Sequence, residues 1–135
     1  MRLSSFTDYS VVIMAAAARA PLGTRLSATM LAADTGIPLP TTQKLMGRLA
    51  AAGLFTSARG AGGGFALARP AQAISLADII EAVEGPIALT TCLDSEGHDC
   101  ALEPGCRVRP VIGSVNGAVK GALSGVTLAT LAGAA

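Results

Sequence analysis

Two short helix signals separated by a tight turn constrain the fold of this chain more than any other feature. Ser27 belongs to the side-chain types that cap helix N-termini, and Gly36 can adopt the left-handed conformation that ends a helix. Pro40 suits the first turn of a following helix, which Gly53 ends. The buried stripe of that helix is predicted to contain Leu45, Met46 and Leu49. Two short helices joined by a glycine-containing turn predict a helix-turn-helix unit.

A glycine-rich hairpin follows this unit. Two short runs, 54–57 and 65–67, flank the sequence Arg59-Gly60-Ala61-Gly62-Gly63-Gly64, a pattern typical of two strands joined by a turn. The run lacks the Gly-Lys-Ser/Thr ending of a phosphate-binding loop and precedes a strand rather than a helix. It therefore predicts a wing with a basic shoulder.

Further helices are predicted on both sides of the helix-turn-helix unit and wing. Residues 7–20 carry apolar positions at helical spacing, with Thr7 as the expected N-cap. Residues 75–84 carry a second apolar stripe behind a capping box of Ser75 and Asp78. Together these elements predict a mainly α fold with a small β component, a winged helix-turn-helix.

A long C-terminal helix is expected after Pro110. Glycine recurs there every four residues, at Gly113, Gly117, Gly121 and Gly125. Each glycine costs up to about 1 kcal/mol of helix propensity, so this helix needs packing from outside. We expect it to be a dimerisation helix that lies against a second copy of the chain. The predicted organisation is then 1–85, a DNA-binding domain; 86–108, a loop; and 109–135, the dimerisation helix and tail.

The loop contains all three cysteines, Cys92, Cys100 and Cys106, and has neither helical nor strand periodicity. An odd number of cysteines cannot all pair within one chain, and reducing cytosol disfavours disulfides. Thiolates select soft metal centres, which are iron–sulfur clusters or zinc. Zinc could take the three cysteines with His98 as a closed set, although the chain has no CxxC pair. The types of donor residue alone do not favour an iron–sulfur cluster over zinc.

Charge is unevenly divided along the chain. Residues 1–70 carry seven cationic side chains against two carboxylates, and the remainder carries three against seven. A basic first half fits a surface that faces phosphates.

Hydroxyl, amide and cationic side chains on the second helix of the helix-turn-helix unit are of the types that read base edges and phosphates. The predicted DNA-binding residues are Thr41, Thr42, Gln43, Lys44 and Arg48 on this helix, and Arg59, Gly60 and Gly62 in the wing.

Membrane, export and enzyme classes are not expected. The longest uncharged run, 121–135, is shorter than the roughly 20 apolar residues that a spanning helix needs. The N-terminus lacks the basic start and apolar stretch of a signal peptide, so we expect a cytoplasmic protein. A single histidine in an acidic loop offers little for nucleophilic or acid–base catalysis, so we expect no enzyme.

Three stretches of the chain resemble the IscR/NsrR-type winged-helix iron–sulfur regulators. Residues 1–9 are similar to the first helix of that family, 59–65 to its wing, and the loop with three cysteines to its cluster segment. The resemblance runs from Met1 to about Leu131. The spacing of seven and then five residues between the cysteines looks most like the branch that regulates the SUF cluster-assembly system.

The resemblance implies an iron–sulfur cluster, 2Fe–2S or 4Fe–4S, bound by Cys92, Cys100 and Cys106. Arg109 stands where some members have a fourth ligand, a histidine. Asp8 stands where certain NsrR-like relatives supply an oxygen ligand from the partner subunit, and capping of the first helix is its alternative role.

The resemblance also implies a homodimer that binds a double-stranded DNA operator and regulates SUF or ISC assembly genes. The alternatives are a nitric-oxide-sensing repressor of the same family and a zinc-stabilised or thiol-redox winged-helix repressor.

Overall fold

The computed structural model describes residues 1–21, 23–58, 63–94 and 100–133. Its helices and strands are α1 (Ser5–Arg19), α2 (Ala28–Thr35), α3 (Leu39–Ala51), β1 (Phe55–Ala58), β2 (Gly64–Leu67), α4 (Leu76–Glu84), α5 (Arg109–Ser124) and α6 (Leu128–Leu131). This mainly helical chain with a small two-stranded sheet confirms the predicted winged-helix fold. In the described part of the chain, every helix is too short or too polar to cross a lipid bilayer.

Helix α1 lies at the centre of the fold and contacts α2, α3, α4 and α6. Its buried face includes Ile13 and Met14, both fully inaccessible to solvent. The helix begins earlier than the sequence pattern indicated, because Ser4 is the N-cap and its hydroxyl accepts a hydrogen bond from the Thr7 N–H at 3.2 Å. The prediction of Thr7 as the cap is therefore wrong.

Helices α2 and α3 form the predicted helix-turn-helix unit. The Ser27 hydroxyl accepts a hydrogen bond from the Met30 N–H at 3.1 Å, which caps α2. Gly36 ends that helix with φ of 78°, a left-handed conformation that glycine adopts without strain. Pro40 lies in the first turn of α3. The inward residues of the pair are buried as expected: Leu31, Leu45, Met46 and Leu49.

The wing is an antiparallel pair in which Phe55 lies opposite Leu67 and Ala58 opposite Gly64. Leu26 extends the sheet, since it exchanges two backbone hydrogen bonds of 2.7 Å with Phe65. A Cβ at residue 64 would lie 2.8 Å from the Leu26 carbonyl oxygen, and φ there is 128°. Glycine is therefore required at this position. Residues 59–62, between the strands, lie outside the described residues.

The C-terminal segment returns to the first part of the chain after α5. The Leu76 N–H donates to the Val126 carbonyl at 2.8 Å, and the Leu128 N–H donates to the Ile74 carbonyl at 2.7 Å. Leu128 is fully buried in the main core. The tail that follows α5 thus packs, through α6, onto α1 of its own chain.

A polar link joins the start of α1 to the end of α4. The Glu84 Oε1 accepts hydrogen bonds from the Ser4 N–H at 3.2 Å and from the Thr7 hydroxyl at 2.7 Å. Hydrogen bonding from the Ser4 side chain, the Thr7 side chain and the Ser4 N–H lowers the pKa of Glu84, because it favours the charged carboxylate. The two helix ends are thus held together by a charge-assisted contact.

We predict that Thr7→Val lowers the free energy of unfolding by about 1 to 2 kcal/mol at neutral pH, because it removes the donor and keeps the side-chain shape. A lowered carboxyl pKa means that the contact is fully present above the ordinary range and is lost as pH falls through the lowered value. The difference between wild type and variant should therefore shrink in acid, as the pH falls below the range in which glutamate ordinarily titrates. Urea unfolding of wild type and variant at neutral pH and in acid measures this difference in free energy. Thr29→Val, at an exposed position, is the control. Equal differences at both pH values would contradict this role of Glu84.

Candidate nucleic-acid interface and cysteine segment

The solvent-facing side of α3 carries polar and cationic groups. Gln43, Lys44 and Arg48 are exposed, and Thr41 is half-buried. Thr42 is different, because its side chain is fully buried and its hydroxyl donates to the Pro38 carbonyl at 3.1 Å. Thr42 thus stabilises the first turn of α3 and does not present its hydroxyl at the surface, contrary to the role expected for it.

Lys44 is held against α1. Its Nζ lies 5.0 Å from the centre of the Phe6 ring, a cation–π distance. Phe6 is in the first turn of α1, next to Thr7, so this turn contacts both α3 and Glu84 of α4. No sequence pattern predicts this pairing, because the two residues are far apart along the chain.

The predicted wing contacts Arg59, Gly60 and Gly62 lie outside the described residues, as does His98. Asp8 is an exposed residue in the first turn of α1, where a carboxylate suits the helix N-terminus. That exposure leaves its carboxylate accessible to a second subunit.

The cysteine segment, residues 86–108, connects α4 to α5. Cys92 lies in a short 3-10 turn, Thr91–Leu93, with its Sγ 3.2 Å from the Thr90 hydroxyl. Cys106 follows a second such turn, Glu103–Gly105. Cys92, Cys100 and Cys106 are all free thiols of intermediate burial. They are partly accessible thiols rather than core residues.

Within residues 1–21, 23–58, 63–94 and 100–133, no three side chains among His, Cys, Asp and Glu lie close enough to hold a metal ion. The structure therefore does not bring the three cysteines into one preformed cage. Three free thiols in one short segment nevertheless fit a soft metal centre by the chemistry of their donors.

Side chains of α4 and α5 hold the first half of the cysteine segment. The Asn116 side chain bonds to the backbone of both Ile87 and Leu89, at 3.2 and 2.7 Å. Arg109 donates to the Cys92 carbonyl at 3.2 Å. The Ile87 N–H also donates to the Glu81 carboxylate, at 3.4 Å.

An open cleft of about 610 Å³ lies behind this part of the segment. Its walls include Ile80 of α4, Leu89 of the segment, and Val119 and Leu123 of α5. The segment is therefore supported by a few polar contacts more than by dense apolar packing.

The outward face of α5 is uncharged and made of small or apolar residues. Val111 and Val115 are 64% and 45% exposed. The other exposed members of this face are Ser114, Gly117, Ala118, Gly121 and Ala122. A Cβ built on Gly117 or Gly121 would meet no atom within 4 Å in the described chain. These positions leave room for another backbone to approach closely.

A family profile described as Rrf2, an iron-dependent transcriptional regulator, matches residues 3–134 of the chain. Solved structures are similar as well. The chain is 29% identical to CymR of B. subtilis, described as the global cysteine regulator, with a TM-score of 0.74; the match covers 100% of this chain and 98% of that one.

The chain is also 29% identical to IscR of T. potens, with a TM-score of 0.68, and the match covers 96% of this chain and 84% of that one. The oxidised form of CymR from Staphylococcus aureus is 28% identical, with a TM-score of 0.68 and coverage of 98% and 96%. These similarities extend over nearly the whole length, through the helix-turn-helix unit and the cysteine segment.

Proposed function

We propose that this chain, which belongs to the Rrf2 family of transcriptional regulators, senses an iron–sulfur cluster and controls genes of cluster assembly. The chain is a DNA-binding regulator and not an enzyme. The proposal of an iron–sulfur cluster is carried by one observation, the set of three free, half-buried thiols at Cys92, Cys100 and Cys106. The description of the family as iron-dependent supports the same proposal.

Cys92, Cys100 and Cys106 are the proposed cluster ligands, since thiolates bind iron–sulfur centres. The exposed carboxylate of Asp8 is the proposed fourth ligand, donated from the partner subunit. When bound, the cluster would supply a redox-active centre whose loss reports on cellular iron–sulfur status. A hard oxygen ligand among soft thiolates would be the weakest bond of the set.

A thiol-based sensor without metal is the second candidate. Its support is the similarity to CymR, described as a cysteine regulator and also solved in an oxidised form. Partly exposed thiols suit direct oxidation as well as metal binding. The metal content of the purified protein separates the two candidates.

We predict that Cys92→Ser, Cys100→Ser and Cys106→Ser each remove the visible absorption of protein purified without oxygen. The winged helix should stay folded, because its core lies elsewhere. Absorption spectra with iron and sulfide analysis measure the first effect, and circular dichroism measures the second. Thr91→Ala, at an exposed neighbour of Cys92, is the matched control and should keep the absorption.

Full absorption in any cysteine variant would remove that cysteine from the ligand set. A colourless wild type with bound zinc would favour the zinc-stabilised repressor. A colourless, metal-free wild type whose DNA affinity changes on oxidation would favour the thiol sensor.

For DNA binding, we propose that α3 enters the major groove, with Gln43, Lys44 and Arg48 at its exposed side and Thr41 at its edge. Arg59, Gly60 and Gly62, predicted from the sequence of the wing, are proposed as further DNA contacts. Thr42 has the structural role described above. In a homodimer, two such helices would meet a palindromic operator about one helical turn apart.

We predict that Lys44→Ala and Arg48→Ala each weaken operator binding. Each should also lower the slope of log affinity against log salt concentration by about one for every phosphate that the side chain neutralises. Lys120→Ala is the charge-matched control, because Lys120 is on α5, where its Nζ lies 3.5 Å from Glu81. Fluorescence anisotropy over a salt series measures the slopes. Slopes equal to that of the control in both α3 variants would show that α3 is not the phosphate-contacting helix.

We further propose that α5 pairs with α5 of a second copy through its uncharged outward face. Gly117 and Gly121 lie one turn apart on that face and allow close backbone approach.

We predict that Gly117→Leu and Gly121→Leu together convert the dimer to a monomer, because leucine would block that approach. Sedimentation velocity measures the oligomeric state. Ala33→Leu adds one exposed leucine on α2 and serves as the control. An intact dimer in the double variant would place the interface elsewhere.

A further inference from the structure

We propose that Asn116 is a positioning residue that sets the conformation of the cysteine segment and thereby the accessibility of the Cys92 thiol. The inference rests on the proposed function, because it takes Cys92 to be a working thiol of the sensor. Asn116 itself does not touch the thiol in the described contacts and acts through the backbone before it.

Asn116 uses both polar groups of its side chain on the segment. Its Oδ1 accepts a hydrogen bond from the Leu89 N–H at 2.7 Å, and its Nδ2 donates to the Ile87 carbonyl at 3.2 Å. An amide group that bonds an N–H and a C=O two residues apart imitates one step of a β-ladder. It therefore fixes both the distance and the orientation of this backbone relative to α5.

The segment depends on this clamp because apolar packing there is sparse. None of residues 85–94, all of which the structure describes, is fully buried. Leu89, next in the chain to Thr90 and the Cys92 turn, is 37% exposed and also lines the open cleft. Where few buried apolar contacts exist, local opening takes little free energy, so the loss of two hydrogen bonds is a large change.

Two side chains of α5 hold the backbone at and before Cys92. Asn116 bonds to Ile87 and Leu89, and Arg109 donates a hydrogen bond to the carbonyl of Cys92 at 3.2 Å. The position of Cys92 therefore follows the position of α5. Since α5 is also the proposed dimer helix, a shift at the subunit interface would reach this thiol through Asn116.

The residue type agrees with a specific role. Asparagine is among the weaker helix formers, and in a helix interior its side chain competes with the backbone for hydrogen bonds. Asn116 stands in the middle of α5, in a helix already weakened by glycine, and is half-buried on the side of the cysteine segment. Its side-chain bonds to the segment account for its presence there.

The experiment measures alkylation rates of individual cysteines in full-length, reduced, cluster-free protein. Iodoacetamide labels the thiols, and mass spectrometry of peptides gives separate rates for Cys92 and Cys106. In Asn116→Ala we expect Cys92 to react at least about fivefold faster, the effect of one hydrogen bond of ordinary net strength, while the Cys106 rate stays at the wild-type value. Asn116→Asp keeps the acceptor for the Leu89 N–H but sets a second acceptor against the Ile87 carbonyl, so its Cys92 rate should lie between those of wild type and Asn116→Ala.

Ser124→Ala, at an exposed position at the end of the same helix, is the matched control and should leave both rates unchanged. A wild-type Cys92 rate in Asn116→Ala would overturn the proposal. So would equal acceleration at Cys92 and Cys106, since that reports general loosening rather than positioning. Should Asn116→Ala not fold, Asn116→Gln, which displaces the amide by one methylene, carries the same expectation.

Because the labelling uses cluster-free protein, its outcome does not depend on cluster binding. A wild type that never takes up a cluster would refute the proposed function and leave the labelling result standing. A normal cluster in wild type together with unchanged labelling in Asn116→Ala would refute only the role of Asn116.

Discussion

Helix α5 is tied to the winged-helix head, residues 1–85, through the segment that follows it and through its own contact with α4. At its C-terminal end, backbone pairing with Ile74 and Leu76 and the fully buried Leu128 fix the chain to the core. The cysteine segment leaves α4 and is held against the middle of α5 by Asn116. A change at the start of the cysteine segment therefore acts on both α5 and the end of α4.

The first turn of α1 extends this connection to the DNA-facing helix. Thr7 binds Glu84, where the cysteine segment begins, and Phe6 contacts Lys44 on the exposed side of α3. A continuous set of contacts thus runs from the end of α4, where the cysteine segment begins, through the first turn of α1 to α3. A ligand that binds one conformation of the cysteine segment better than another would shift the populations of both the segment and α3. Such a shift is the thermodynamic requirement for a sensor.

Local signals were predictable from sequence, whereas distant pairings were not. The caps at Ser27 and Gly36 and the capping box at Ser75 depend only on residues within a few positions, and all three are present. Thr42 was misplaced because the surface side of a first helical turn depends on where the helix starts, and α3 starts at Leu39. The bond from Thr7 to Glu84 and the return of residues 126–128 to Ile74 involve partners with no sequence spacing to reveal them.

The cysteines were recognisable as a donor set, but their grouping depends on loop conformation that residue types do not specify. An asparagine in mid-helix, by contrast, was a readable signal for Asn116.

Native mass spectrometry of protein purified without oxygen shows directly whether this regulator carries an iron–sulfur cluster on its own cysteines. We expect a dimer whose mass exceeds that of two chains by whole numbers of iron and inorganic sulfide, with the excess lost on exposure to a chelator and oxygen. A dimer or monomer at the bare chain mass, or one carrying zinc in place of iron and sulfide, would contradict it.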